Sequence, residues 1–402
     1  MDQIIVIGSG PAGLMAAITA SMKGKKVILL ERNEKVSKKL AISGSGQCNL
    51  THDGDIMEFC EHYGKKKKEA YRILRKFSNL QLIDFFHRFQ LRLDMRDDGK
   101  CFPLSRRSED IINFLLARLK ENAVDIIRNS YVINIVKRGE LFRVITKNGE
   151  YITKSLICAT GGHTFVHTGS DGSFFKIARQ LGHTIIPLGK GLSPVYTEKH
   201  SLKELSGMSF KDAGLIYKDK NGLIQKKRGE LLITHKGFSG PLIIDNSRDF
   251  FEGMSLLINF TSFLISEEME NRIIEMASIT GRKTLTSFLS ELGMPKRLIE
   301  KLLLLSGINK GTFLSQLNRN DRALIRDCFT AYPVKVKALG GINESMVTTG
   351  GIDLKEIKLS TMESKLVNNL YFCGEMLDID GDSGGYNIQM AFSTGYIAGF
   401  NA

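Results

Sequence analysis

Short apolar runs that stop at glycine alternate with helical stretches from the start of the chain. Ile4–Ile7 is uninterrupted hydrophobic and ends at Gly8, which predicts a buried strand. Leu14–Lys23 predicts a helix with Gly24 as its C-cap, because glycine enters the left-handed conformation without strain. Val27–Leu30 predicts a second buried strand that closes on Glu31. The three form a βαβ unit, and strands this apolar belong in a sheet covered on both faces.

Farther on, Ser108 is expected to cap a helix that has Glu109 and Asp110 in its first turn. Ile111, Ile112, Leu115, Leu116 and Leu119 then share one face. Tyr131–Val136, Leu141–Thr146 and Glu150–Thr153 predict three antiparallel strands, the last two joined at Asn148-Gly149. Leu156–Ala159 is another buried strand and runs into Thr160-Gly161-Gly162. From about Pro187 the pattern becomes that of a small β domain: Leu215–Tyr217, the turn Lys220-Asn221-Gly222, Leu223–Gln225 and Leu231–Thr234. Residues 266–328 lose β character, with helical patterns at Glu268–Ala277, Leu285–Leu292 and Arg297–Leu305. Pro333–Leu339 returns to strand, and from about residue 340 the chain is glycine-rich and α/β again.

Composition narrows the class. The 402 residues are too many for one ordinary core, and 42% hydrophobic with 25% charged residues is ordinary for a globular protein. No apolar run is long enough for a bilayer, and the apolar start is too short for a signal peptide, so a cytoplasmic protein without membrane contact is expected. The six cysteines form no CxxC pair, which argues against an internal redox dithiol and a zinc ribbon. No histidine pair has metal-ligand spacing, and no metal is expected. The net charge of +13 admits nucleic acid, an acidic surface or an anionic substrate. Its densest run, Lys65-Lys66-Lys67-Lys68 with Arg72, Arg75 and Lys76, reads as a solvated helix face without the aromatic interleaving of a nucleic-acid groove. A small-molecule substrate is therefore expected, and no nucleic acid; the oligomeric state is open.

The candidate chemistry begins where the first strand ends. Gly8-Ser9-Gly10-Pro11-Ala12-Gly13 follows a strand and opens a helix. In such a fingerprint the first glycine makes the turn, the second admits a pyrophosphate, and the third lets helix and strand pack. Glu31, with Arg32 behind it, ends the second strand at the spacing that accepts ribose hydroxyls, which suits FAD or NAD and disfavours a 2′-phosphate. The meander that follows, with Val132 at its start, and the strand ending in Ala159-Thr160-Gly161-Gly162 are the layout of large FAD-binding domains. Such domains add a late glycine–acid element, here Gly374-Glu375 with Asp378, and a final helix that opens at Gly385-Tyr386-Asn387-Ile388. The start of that helix is expected at the flavin pyrimidine edge. A loop after the acid strand, Lys39-Leu40-Ala41-Ile42-Ser43-Gly44-Ser45-Gly46-Gln47-Cys48-Asn49, offers polar groups to the ring.

Together with Thr234-His235-Lys236-Gly237-Phe238-Ser239-Gly240-Pro241 and Thr361-Met362-Glu363-Ser364-Lys365, these stretches resemble the BaiN/RdsA family of flavoproteins, which also includes aminoacetone oxidases. The chain departs from the family's usual arginines at Gln47 and Lys100. The resemblance implies an α/β protein: a discontinuous, Rossmann-like FAD-binding domain with an inserted β domain and a small helical domain. The expected boundaries are 1–187 and 341–402 for the FAD domain, 188–262 and 329–340 for the β domain, and 263–328 for the helical insert. The expected activity is NAD(P)H-driven reduction of conjugated C=C bonds in enones such as unsaturated 3-oxo steroids or bile acids. An oxygen-dependent amine oxidase and a flavin-containing nucleic-acid-binding protein are the alternatives. His235 is expected to contact the substrate, with Tyr386 next in line as acid.

Overall fold

The computed structural model describes residues 3–262 and 265–402; the expected start of the helical insert, at 263, falls outside them. The chain forms two compact units, Met1–Gly191 with Ile342–Ala402, and Leu192–Gly341.

In the first unit, β1 (Gln3–Ile7), α1 (Pro11–Met22) and β2 (Lys26–Leu30) succeed one another. Pro11 sits in the first helical turn, where a missing N–H is harmless. α2 (Lys67–Leu74) buries Ala70, Ile73 and Leu74 and exposes its basic side chains. β3 (Asp125–Ile127) and β4 (Ser155–Cys158) follow, and the last segment of the chain returns as β5 (Leu370–Phe372) and α3 (Tyr386–Asn401). The five strands lie parallel in the order β5-β4-β1-β2-β3. Glu363–Ser364 and Ile357–Lys358 extend the β5 edge antiparallel. Because β2 and β4 lie on opposite sides of β1, the strand order reverses there, which is where open α/β sheets bind ligands.

Residues from both ends of the sequence share the first unit's core, from Ile5 and Leu14 to Phe372 and Phe392. α1 and α3 touch almost backbone to backbone: a Cβ on Gly395 would lie 2.2 Å from the Ala12 carbonyl oxygen. The meander is Val132–Arg138, Leu141–Thr146 and Gly149–Thr153. Ser108 departs from expectation. It is the first residue of its helix, Arg107 holds the cap position, and the Ser108 hydroxyl donates to the Ala41 carbonyl (2.6 Å), tying this helix to the glycine loop.

The second unit is a closed six-stranded barrel built from Val195–Thr197, Gly237–Ser239, Ile224–Ile233, Ser209–Lys218, Ser255–Asn259 and Tyr332–Leu339. Helices Ser266–Ile279, Leu285–Glu291, Lys296–Ser306 and Arg319–Thr330 share its hydrophobic core. The fourth helix escapes the pattern because it buries only Ile325, Phe329 and Thr330. Among the described residues, no helix is long and apolar enough to cross a membrane.

Candidate functional site

The motifs read from the sequence converge on the C-terminal edge of the parallel sheet. Backbone hydrogen bonds lock their roots together: Gly8 N–H to Leu30 O (2.8 Å), Ala159 N–H to Ile7 O (2.8 Å), Cys373 N–H to Cys158 O (3.0 Å) and Glu31 N–H to Ile127 O (2.9 Å). Ser130 N–H donates to Glu31 O (2.8 Å), which holds the start of the meander, and with it Val132, next to the acid.

Within the fingerprint the glycines differ in kind. A Cβ on Gly13 would lie 1.8 Å from the Gly8 carbonyl oxygen, so a side chain there breaks the packing of loop on helix. A Cβ on Gly10 would meet nothing within 4 Å. Gly10 therefore faces open space at the start of α1, where free N–H groups and the helix dipole favour an anion.

Glu31 is buried and braces this loop. It accepts from Ser9 N–H (3.1 Å) and the Ser9 hydroxyl, and from Asn33 through its backbone N–H (2.7 Å) and its side-chain amide (2.8 Å). Ser9 and Asn33 went unnoticed in the sequence, although Ser9 lies inside the fingerprint itself. Arg32 reaches the loop after β4: it donates to Gly169 O (3.1 Å), pairs with Asp171 (2.8 Å) and covers the Tyr131 ring. Burial raises the Asp171 carboxyl, but hydrogen bonds from Ser173 and Arg32 outweigh it and hold the group below its ordinary range.

Lys39 and Glu375 meet across 336 residues of sequence. The Lys39 ammonium lies 2.6 Å from Glu375 and 2.6 Å from the Thr164 hydroxyl, and Thr348 N–H donates to Glu375 (2.8 Å). Asp378 pairs with Lys66 (2.6 Å), a partner the sequence did not reveal. The Thr160 hydroxyl contacts the Met376 sulfur (3.2 Å), and Gly374 N–H donates to Thr394 on α3 (2.9 Å).

In the loop after the short helix Lys38–Ile42, Gly44 and Gly46 adopt left-handed backbone and Ser43 donates to Leu40 O (2.7 Å). Asn49 presents a buried Oδ1 without a hydrogen-bond partner. Cys48 departs from the expected ring contact. Its thiol is fully buried in the core, and burial pushes it up to about 12 against the hydrogen bond from Ser43.

The final helix brings two corrections. The Tyr386 ring is buried, stacked on His62 (4.0 Å) and His52 (5.4 Å) and edge-on to Phe59 (4.7 Å), so it anchors the helix start instead of facing substrate. Asn387 clamps the preceding loop: its amide donates to Gly381 O (2.8 Å) and Asp382 O (3.1 Å), and its oxygen accepts from Gly381 N–H (2.8 Å). Gly385 has φ +103°, and a Cβ there would lie 2.6 Å from the Thr51 backbone, so its glycine serves that packing. Ile388 packs partly buried against the core. Sequence reasoning missed His62, which is 42% exposed and hydrogen-bonds Asp382 (3.1 Å). Its only signal was proximity to the lysine run.

His235 belongs to the second unit, exposed in the turn between strands Ile224–Ile233 and Gly237–Ser239. Tyr386 belongs to the first.

The HI0933-like protein Rossmann domain family matches residues 2–401. The chain belongs to this family. It is similar to a 3-dehydro-bile acid delta(4,6)-reductase of Clostridium scindens, 29% identical over 99% of this chain and 98% of that protein. It is likewise similar to a ribosomal RNA dihydrouridine synthase of Escherichia coli, 28% identical over 98% of this chain and 96% of that protein. Among solved structures, 3-ketosteroid-delta4-(5alpha)-dehydrogenase from Rhodococcus jostii shares the fold, with TM-score 0.53 and 13% identity over 99% of this chain and 96% of that one. Membership of the HI0933-like family, with the fingerprint and its acid in one cradle, makes this an FAD-dependent oxidoreductase.

Proposed function

We propose that the enzyme reduces a carbon–carbon double bond conjugated to a carbonyl, with NAD(P)H as electron donor. The observation that supports its cofactor is the cradle at the sheet edge: Gly10 opens toward space at the start of α1, and Asn49 offers a buried acceptor without a partner among the described residues. These features fit FAD. Gly10, Pro11 and Ala12 would hold the pyrophosphate, Glu31 the ribose and Val132 the adenosine end. Gly161, Gly374 and Asp378 would hold the ribityl chain, and Ser43, Gly44, Gly46 and Asn49 the ring. FAD bound there would supply the two-electron chemistry that a hydride transfer from NAD(P)H to a conjugated C=C bond needs. The free N–H groups at the start of α3 would favour negative charge on a group bound against them. Lys39, Glu375 and Asn387 hold the loops in place. The His62–Asp382 pair, half-exposed beside the start of α3, is favoured over buried Tyr386 as the source of the α-carbon proton.

The names of the two relatives describe one kind of reduction: a ketone-bearing bile acid and a uracil both carry a C=C bond conjugated to C=O. A small enone of the unsaturated 3-oxo steroid class is the leading substrate. Uracil within RNA is the second reading, favoured by the +13 charge. The test is anaerobic stopped-flow with photoreduced enzyme. Rapid reoxidation by an enone or a uridine-containing RNA, and slow reoxidation by oxygen, is expected. Rapid oxygen consumption driven by aminoacetone would replace this reading with an amine oxidase.

A further inference from the structure

A groove of about 920 Å³ runs along the first unit between α2 and the segment 353–365. Nine basic and three acidic side chains line it. Some of the cations are neutralised: Lys66 by Asp378, Lys67 by Glu61, Lys358 by Glu363. Lys68, Arg72, Arg75, Lys76 and Lys355 are exposed and make no ion pair among the described residues. The arrangement works against local stability. Lys65, Lys66, Lys67 and Lys68 crowd the N-terminal end of α2, where the helix dipole is itself positive, and Glu69 is the one acid in that turn. A surface that concentrates like charge in this way attracts anions.

We propose that this groove binds the phosphodiester backbone of an RNA strand. The partner rests on the RNA reading of the substrate; the place rests on the groove. Three features favour a strand. The surface is concave, unlike the convex face that meets a membrane. Tyr71 lies exposed among the unpaired cations, a ring on which a base can stack, and this supplies the aromatic interleaving that the sequence was read as lacking. The groove also leads to the cofactor segment: Lys66 lines it and holds Asp378, and Asp378 N–H donates to Ile352 O (3.0 Å) beside the groove residue Asp353.

The experiment uses the full-length FAD-loaded protein, a fluorescein-labelled RNA hairpin with uridine-rich single-stranded flanks, and anisotropy titrations across a salt series. The variant combines Lys68→Gln, Arg72→Gln, Arg75→Gln and Lys76→Gln, and a second variant is Tyr71→Ala. Each lost phosphate contact removes about 0.7 from the slope of log K against log salt for single strands, so the slope is expected to fall by about 3. Affinity at low salt should fall at least tenfold, while FAD content, melting temperature and turnover of a small enone stay at wild-type level. Tyr71→Ala should weaken binding without changing the slope. Equal RNA binding by wild type and the fourfold variant overturns the site. Wild-type protein that ignores RNA, whether or not it binds phosphatidylglycerol vesicles, overturns the partner. Enone turnover, followed in parallel, reports the reductase reading by itself.

Discussion

The two units solve the problem of closing a core in different ways. The second draws all six barrel strands and four helices from one continuous stretch, Leu192–Gly341. The first brings β5 and α3 from the far end of the chain against β4 and α1. Its cofactor loops are therefore rooted in strands that meet only when the whole chain has folded. The difference predicts that the flavin site is the more fragile assembly, although its individual motifs are the more recognisable. A chain ending after Gly341 tests this most severely. It keeps the fingerprint and the entire second unit but loses β5, Gly374-Glu375 and α3. It should purify without FAD, while excised Leu192–Gly341 should retain a cooperative thermal transition. Flavin absorbance at wild-type stoichiometry in the truncated chain would break the comparison.

Two point substitutions sharpen it within one loop. Gly13→Val drives a side chain into the Gly8 carbonyl, a backbone group that cannot move aside without opening the sheet edge. It should leave little folded protein. Gly10→Val meets nothing in the protein, so the melting transition of the apoprotein should stay close to wild type while FAD is lost. Absorbance at the flavin band and circular dichroism on the same samples separate the two outcomes. A yellow Gly10→Val protein would move the pyrophosphate elsewhere.

The Lys39–Glu375 pair is a link between the two ends of the chain. Glu375→Gln keeps the shape and removes the charge, leaving the partly buried Lys39 with neutral partners, the Thr164 hydroxyl and the glutamine oxygen. The expected cost is about 1–3 kcal/mol, read as a lower urea midpoint and several-fold weaker FAD retention on dilution. An unchanged midpoint would mean that the ends are held by α1–α3 packing and β4–β5 pairing without this pair.

What the sequence disclosed follows the same division. The fingerprint, Glu31, the meander and the late Gly374-Glu375 were legible because each is a local pattern with a known physical use. The roles of particular side chains were less so. Tyr386 and Asn387 looked like ring contacts because they open a helix after two glycines; three-dimensional neighbours, His52, His62 and the Gly381–Asp382 carbonyls, engage them instead. Cys48 sits in a polar loop yet points into the core, which no alternation of residue types could announce. The lysine run is largely exposed, as its reading as a solvated face expected, but which cations are paired was not legible, because it depends on Glu61, Glu363 and Asp378, remote or unremarkable in the sequence. The helix Arg319–Thr330 was missed because its apolar face is narrow.

The mildest substitution asks whether the second unit takes part in chemistry at all. His235 is exposed in a barrel turn, and the turn's backbone is held by Thr234 N–H to Gly237 O (2.8 Å), without the imidazole. His235→Ala should therefore change stability by less than about 0.5 kcal/mol, as exposed substitutions usually do, and leave FAD content and NAD(P)H-driven flavin reduction intact. A substrate contact is a different matter. One hydrogen bond to substrate contributes about 1 kcal/mol, so a substrate contact by His235 would show as a fall of about fivefold in kcat/KM with an enone, with the flavin-reduction half-reaction unaltered. Measuring the two half-reactions separately is what makes the test sharp, because a general loss of folded enzyme would lower both. Should the oxidative half-reaction proceed at the wild-type rate, His235 is a solvent-facing turn residue, and the chemistry belongs to the first unit alone, with the His62–Asp382 pair as the acid to pursue.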